Sequence, residues 1–334
     1  MRYLSRRLVL VVPVLLGISF IVFMILHLIP GDPIQVIFAG TGASEEQREA
    51  MRHSLGLDRP LLVQYVTYIF KAMNGDLGQS IHFRRPVLGL ILERMPATIE
   101  LTMIGLFIGL LLAFPAGIIS ATKRGSIIDY IVMVGATLGI SLPTFWVGIL
   151  LIMLIAVNLG WLPGFGRMGY EEHFARVTGF YLVDSLLARN IPAFMGVVAH
   201  LILPALTLGL SEATLMARLT RSSMLEEIAK DYVRTARAKG LHEQTVIQRH
   251  VVRNALIPVI TLVGLSLGDL LGGAVITETI FAWPGVGRLV IQAINTRDYP
   301  LVQGVVLFFA LFRLAINLVT DILYVLVDPR VGHV

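Results

Sequence analysis

Cysteine is absent from this chain, which excludes disulfides, thiolate metal sites and cysteine nucleophiles while reporting nothing about the compartment. Charge is scarce as well. Only 15% of the 334 residues are Asp, Glu, Lys or Arg against 56% hydrophobic, and the mean hydropathy of +0.79 lies far outside the range of soluble domains. No Gly-x-x-x-x-Gly-Lys-Ser/Thr phosphate loop occurs, so any nucleotide hydrolysis must be carried by another chain. Low-complexity segments are missing too, and no inverted or parallel repeat is discernible. The second absence weighs against a self-contained secondary transporter built from related halves.

What is present is apolar sequence in long runs. A bilayer core about 30 Å thick takes roughly 20 apolar residues in helical form. Six stretches meet that length: residues 8–28, 98–122, 127–157, 196–217, 258–280 and 301–327. The expectation is an all-α integral membrane protein of six spans. Residues 1–28 form the tail and first span, 29–97 a lobe between spans one and two, 98–327 a core of five spans, and 328–334 a tail. Arg2, Arg6 and Arg7 before the first run resemble the start of a secretory signal. That run is too long for a signal core and ends in His27-Leu28-Ile29-Pro30-Gly31-Asp32 without a small-x-small cleavage pattern, so it reads as a retained span.

The net charge of +5 follows membrane sidedness. With both termini on one side, Lys and Arg number three before span one, two at Lys123 and Arg124, eight in 218–257 and one in the C-terminal tail, fourteen in all. The two short opposite loops, 158–191 and 281–300, carry three and two. By the positive-inside rule both termini face the cytoplasm and the 29–97 lobe lies outside. No aromatic-interleaved basic domain accompanies these charges, which argues against nucleic acid as a partner and leaves membrane lipid as the surface they face.

The stretch 218–257 is the longest polar interruption of the core. Leu225, Ile228, Ala229, Tyr232, Val233 and Ala236 recur at helical spacing, with Glu226, Glu227, Lys230, Asp231, Arg234 and Arg237 opposite. One helix from Leu225 is therefore expected, with Gly240 as its C-terminal cap beside Lys239 and Leu241. A second helix follows over 243–254, and Pro258 marks the start of span five. Pro143 inside the third run is expected to bend or unwind it, either as a packing kink or as a hinge. Polar residues inside the runs are Glu212, Asp269, Arg313, Asn317 and Asp321. An ionisable group at mid-span costs at least about 2.5 kcal/mol, so each should face protein or water. Arg313, Asn317 and Asp321 recur every four residues on one helix face, as an interhelical clamp or as part of a pathway lining.

Several of these segments carry a resemblance. Arg-Thr-Ala-Arg-Ala-Lys-Gly-Leu at 234–241, with Arg249-His250 and Arg-Asn-Ala-Leu-Ile-Pro at 253–258, resembles the cytoplasmic loop of ABC importer permeases in its peptide-permease form. Gly-Ile-Ser-Leu-Pro-Thr-Phe-Trp (139–146), Thr-Glu-Thr-Ile-Phe-Ala-Trp-Pro-Gly-Val-Gly (277–287), Arg-Asp-Tyr-Pro (297–300), Pro-Gly-Asp-Pro (30–33) and Gly-Asp-Leu-Gly-Gln-Ser (75–80) extend it over nearly the whole chain. The general loop pattern opens Glu-Ala-Ala where this chain has Arg234, Thr235 and Ala236, so the resemblance is to the dipeptide/oligopeptide subfamily, which also includes glutathione and nickel importers. It implies a type I, MetI-like permease of the bacterial inner membrane. Such a permease forms half of a translocation pathway with a homologous second permease subunit. It works with cytoplasmic ATPase subunits and an extracytoplasmic solute-binding protein. It also implies a coupling helix formed by Arg234, Thr235, Ala236, Arg237, Ala238, Lys239, Gly240 and Leu241, with Ser141, Pro143 and the intramembrane polar residues as hinge or pathway candidates. ATP and Mg would be bound by the ATPase and no cofactor by this chain.

Two other classes compete. For an intramembrane hydrolase, Ser141 and His200 would be the nucleophile and base, but Ser141 lacks a Gly-x-Ser-x-Gly setting. His242-Glu243 begins a zinc-like pattern whose second histidine is replaced by Val246. No metal site is expected. A proton-driven transporter is the remaining rival, and it would run without an ATPase.

Overall fold

The computed structural model describes residues 2–28, 34, 38, 44–54, 56–169 and 173–327, with side chains described except at 2–11, 54, 271, 273 and 321–327. In chain order the helices are α1 (Arg2–Leu28), α2 (Glu45–Ser54), α3 (Leu61–Met73), α4 (Val87–Thr122), α5 (Ile127–Ser141) and α6 (Thr144–Leu151), the last running into a π-helical segment, Ile152–Asn158. Then come α7 (Tyr181–Leu187), α8 (Ile191–Ile228) and α9 (Asp231–Ala238). A turn, Glu243–Thr245, and a second π-helical segment, Val246–Val252, lead into α10 (Arg253–Ile280), followed by α11 (Val286–Asn295) and α12 (Tyr299–Val327). Among the described residues β pairing is confined to an isolated bridge between Gln79 and Pro86.

Local chemistry accounts for many of the boundaries. Ser44 and Gln47 form a reciprocal capping box at α2, with Gln47 N donating to Ser44 Oγ at 3.3 Å and Ser44 N donating to Gln47 Oε1 at 3.0 Å. Asp129 N donates to Ser126 Oγ at the start of α5, and Ala193 N donates to Asn190 Oδ1 at the start of α8. Among the described residues four helices are long and apolar enough to cross a membrane: Val87–Thr122, Ile191–Ile228, Glu243–Leu270 and Tyr299–Thr320. The third predicted run is not one straight span. It breaks at Leu142-Pro143 into two helices that meet at 105°. Pro143 has no N–H to continue α5, and its extended ψ of 136° starts α6 in a new direction. α1 is helical through the whole first run, and its described apolar part is Val12–Leu28.

The helices extend beyond the apolar runs at several ends. α4 starts at Val87, ahead of the run that begins at 98, and α8 continues to Ile228, past the run that ends at 217, because helices do not stop where apolarity stops. The Pro30-Gly31-Asp32-Pro33 opening and the tail 328–334 lie outside the described residues, as does Leu55.

The chain divides into two compact units. Unit one comprises Met1–Pro96 and Gly285–Ala315. Asp298 is its buried polar anchor: Ser80 Oγ donates to it at 2.5 Å, His82 N at 3.0 Å and Leu301 N at 3.2 Å. Unit two comprises Ala97–Pro284 and Ile316–Val334. Here α8 packs against α5, α6, α7 and α10, and its core holds Leu101, Leu106, Leu208, Met216 and Trp283. α4 and α8 touch through their backbones: a Cβ on Gly209 would lie 2.8 Å from the Gly105 carbonyl oxygen. Small residues permit this approach where apolar surface alone gives little drive for helices to associate in lipid. Two buried carboxylates of unit two are hydrogen-bonded inside the protein. Thr98 Oγ1 donates to Glu278 at 2.6 Å. Glu100 accepts from Arg167 Nη2 at 2.6 Å and from Leu182 N at 2.8 Å, while Arg167 also donates to the Gly179 carbonyl and stacks 3.7 Å over the Tyr181 ring.

Candidate functional site

The single helix expected from Leu225 is in fact two. α8 ends at Ile228, Lys230 takes an extended conformation (φ −71°, ψ 149°), and α9 starts at Asp231. The physical reason lies in the apolar face. A fold at this point lets Met224, Leu225 and Ile228 of α8 and Val233 and Ala236 of α9 share one cluster with Ala121, Val246 and Val251, which a straight helix would spread along its length. The second predicted helix is likewise not separate: it runs on from Glu243 through the π-helical segment into α10, and Pro258 lies inside α10. The π-helical segment, Val246–Val252, precedes the proline.

Gly240 adopts φ +78°. Its N–H donates to the Arg237 carbonyl at 2.9 Å, and the Leu241 N–H donates to the Ala236 carbonyl at 3.4 Å. These are the two bonds of a Schellman cap, as the sequence leads one to expect. Across this turn Arg237 grips Glu243 with both arms of its guanidinium, Nε to Oε2 at 3.0 Å and Nη2 to Oε1 at 2.7 Å. The Glu243 bond holds the Arg237 proton more firmly, raising its pKa.

Behind α9 a second network fixes the fold-back. Tyr232 Oη donates to Glu227 at 2.6 Å, with the His250 carbonyl at 3.1 Å as the alternative acceptor, and Asn254 Nδ2 donates to the Tyr232 oxygen at 3.0 Å. Burial, then the neighbouring Glu227 carboxylate, push the Tyr232 phenol up, so the proton that makes the bond stays in place. Lys230 Nζ adds 2.5 Å to Glu227 Oε1. At the base of the segment Arg221 forks onto Asp129, Nε to Oδ1 at 2.7 Å and Nη2 to Oδ2 at 2.9 Å; Ser120 Oγ and Gly125 N also donate to that carboxylate. None of these three networks is apparent in the sequence, because only the fold brings their members together.

The surface that results is small, rigid and basic. Arg234, Thr235, Arg237, Ala238, Lys239, Gly240 and Leu241 are exposed, whereas Ala236 belongs to the buried cluster beneath. Ala236 therefore holds α9 in place rather than presenting itself to a partner. Of the other sequence candidates, Pro143 sits at the 105° break and Ser141, exposed, donates to the Thr137 carbonyl of its own helix at 3.0 Å. His200 is bonded to the Gly196 carbonyl, so neither half of the supposed nucleophile pair is directed at the other. Glu212, half-buried on α8, is brought to face Ser266 and Asp269 of α10. Arg313 is exposed and Asn317 half-buried on α12; the Asp321 side chain lies outside the described residues. Among the described residues no group of three His, Asp or Glu side chains is placed to hold a metal ion.

Residues 113–333 match the family described as binding-protein-dependent transport system inner membrane component, and residues 1–102 match the N-terminal family of the same systems. The chain belongs to this permease family. It is 45% identical over 331 residues, 99% of this chain and 98% of the relative, to the di/tripeptide transport system permease protein DppB of Pseudomonas aeruginosa strain UCBPP-PA14. To the dipeptide transport system permease protein DppB of Escherichia coli K12 it is 44% identical, over 100% and 99% of the two chains. The glutathione transport system permease protein GsiC of Escherichia coli O6:H1 is 40% identical over 100% and 99%. In fold the permease is similar to a chain of the MetNI methionine ABC transporter in inward-facing conformations, with a TM-score of 0.51 at 16% identity over 71% of this chain and 95% of that one. A second neighbour is a chain of an amino acid ABC transporter, with a TM-score of 0.52 at 12% identity over 71% and 93%. The permease is thus a multi-helix component of the inner membrane that depends on a binding protein. It is a transport subunit and not itself an enzyme.

Proposed function

We propose that this permease carries dipeptides, pairs with a homologous second permease subunit, and takes its drive from a cytoplasmic ATPase that docks on α9 and the Gly240 turn. The observation that carries the substrate class is full-length identity of 44–45% to dipeptide permeases. Identity of 40% to a glutathione permease favours that tripeptide-like solute as the second reading. Docking on α9 is supported by its exposed basic face and by the clamps that make it rigid. A rigid element transmits displacement where a flexible loop absorbs it. ATP and Mg belong to the ATPase, and membrane lipid surrounds the spans. The test is uptake by proteoliposomes holding the complete transporter and its binding protein. ATP-dependent accumulation of a dipeptide in preference to glutathione is the expected result. The reverse preference would move the assignment to glutathione, and uptake that persists without the ATPase subunits would favour the proton-driven class.

The same reading sets six spans, with both termini and α9 in the cytoplasm and the 29–97 lobe outside. It is supported by the fourteen-to-five bias of Lys and Arg. Single cysteines at Glu46 and Glu243, labelled in intact cells with an impermeant maleimide, should react at position 46 and stay unlabelled at 243. Labelling at 243 alone would invert the topology.

A further inference from the structure

Within unit one, α3 presents three different faces. Tyr65 is turned to α1: its Oη lies 2.9 Å from Ser19 Oγ and 2.9 Å from the Leu16 carbonyl, and Phe20 and Phe23 pack on its ring. Gln64, Thr67, Tyr68 and Lys71 line a cavity of about 340 Å³. Leu62, Val66, Phe70 and Met73, spaced by four, four and three residues, form the third face, an exposed apolar stripe in which Phe70 is 65% and Met73 79% accessible. Lys71, the single charged residue of α3, stands on the cavity face and away from the stripe.

The contacts with α1 set the depth of this helix. Phe23 and Phe20 precede the end of α1 at Leu28 by five and eight residues, about 8–12 Å along the axis at 1.5 Å per residue. Tyr65 therefore sits well inside the level at which span one leaves a bilayer core about 30 Å thick. With 13 residues α3 extends only about 20 Å, too short to cross that core. Polar sequence closes both ends, Asp58-Arg59-Pro60 before it and Asn74-Gly75-Asp76 after it, as suits a helix that enters and leaves on one side. A soluble partner does not reach this depth. A neighbouring span is poorly matched to the stripe, because helices that meet in lipid do so through small residues, and the small residues of α3, Thr67 and Ala72, lie off it. An apolar stripe opposite a polar face is the pattern of a helix laid against acyl chains. Phe20, which packs on Tyr65, is itself exposed, so the apolar surface passes from α1 onto α3 without a break.

We propose that α3 is embedded in the leaflet at the C-terminal end of α1, the outer one in the topology given above, with the Leu62–Val66–Phe70–Met73 stripe against lipid acyl chains. It walls the cavity off from hydrocarbon, and its one ionisable group faces the cavity, as an ionisable group at that depth must face protein or water. The assignment rests on α1 being a span, which Ile25 of α1 tests separately. Single nitroxide labels are placed at Val66→Cys, Phe70→Cys, Met73→Cys, Ile25→Cys and Glu46→Cys in the complete transporter, with partner subunits freed of cysteine, in liposomes. Collisions are measured with oxygen, which concentrates in hydrocarbon, and with nickel ethylenediaminediacetate, which stays in water. Subunit recovery equal to wild type certifies assembly, and any two of the three stripe positions suffice. The oxygen-to-nickel collision ratio at the stripe positions should exceed that at position 46 severalfold. A ratio equal to that at 46, with nickel still excluded from position 25, overturns the proposal and leaves span one intact. Nickel reaching position 25 as well overturns the span and the proposal with it. Scarce collisions with both reagents along the stripe would show another subunit covering it, and would overturn the lipid assignment.

Discussion

Arg167→Met is expected to destabilise the permease by about 3–5 kcal/mol, the cost of breaking a buried pair from one side. The side chains of Arg167 and Glu100 are 5% and 4% exposed and lie 2.6 Å apart. Burial lowers the guanidinium pKa and Glu100 opposes that. Removing the arginine leaves a carboxylate whose remaining bond is from Leu182 N, at 2.8 Å. It also removes the cation stacked on Tyr181 and the donor to the Gly179 carbonyl, so the 159–180 connection loses its tie to α4. Thermal unfolding of the solubilised complex measures the loss. Glu100→Leu combined with Arg167→Met should recover a large part of it, because no unpaired charge then remains inside. A single variant as stable as wild type would show that water reaches Glu100 and that the pair is not a structural one.

Gly240→Val is expected to abolish or severely uncouple transport while the spans remain inserted. A Cβ at this position meets no atom within 4 Å, so the effect is not a clash. It is conformational: a β-branched residue at φ +78° costs about 1–2 kcal/mol. The local alternative is to unwind the Schellman turn, which releases the bonds from Gly240 and Leu241 and swings Arg237 away from Glu243. α9 then loses its fixed angle to α10. Gly240→Asn, which tolerates the left-handed region, should keep most of the activity. The measurements are ATPase stimulation by loaded binding protein, subunit recovery and vesicle uptake. Wild-type values for all three in the valine variant would remove the Gly240 turn from the coupling path.

The 218–257 segment was half legible in advance. Gly240 as a left-handed cap, the polar face of α9 and the break at Pro143 are local properties, set by backbone sterics and by the spacing of apolar residues within a few turns. The division between α8 and α9 was not legible, because Leu225, Ile228, Val233 and Ala236 fit a straight helix equally well. What favours the bend is the pocket of Ala121, Val246 and Val251 that receives them, and those residues are distant or follow later in the chain. Ala236 shows the same limit: its type suits a docking surface, and its burial is decided by what lies beneath.

The sequence by itself determined that this is a helical membrane protein and where its long helices fall, to within about a turn or two at most ends. Apolar runs of bilayer length are sufficient for that, since they are counted along the chain. Only the tertiary structure decided which charge answers which. Asp129 with Arg221 is separated by 92 residues, Glu100 with Arg167 by 67, and Ser80 with Asp298 by 218. A buried carboxylate must be paired because desolvation is costly, yet that requirement names no partner. Any Arg, Ser or backbone N–H delivered within hydrogen-bond range satisfies it, and delivery is a property of how the helices pack.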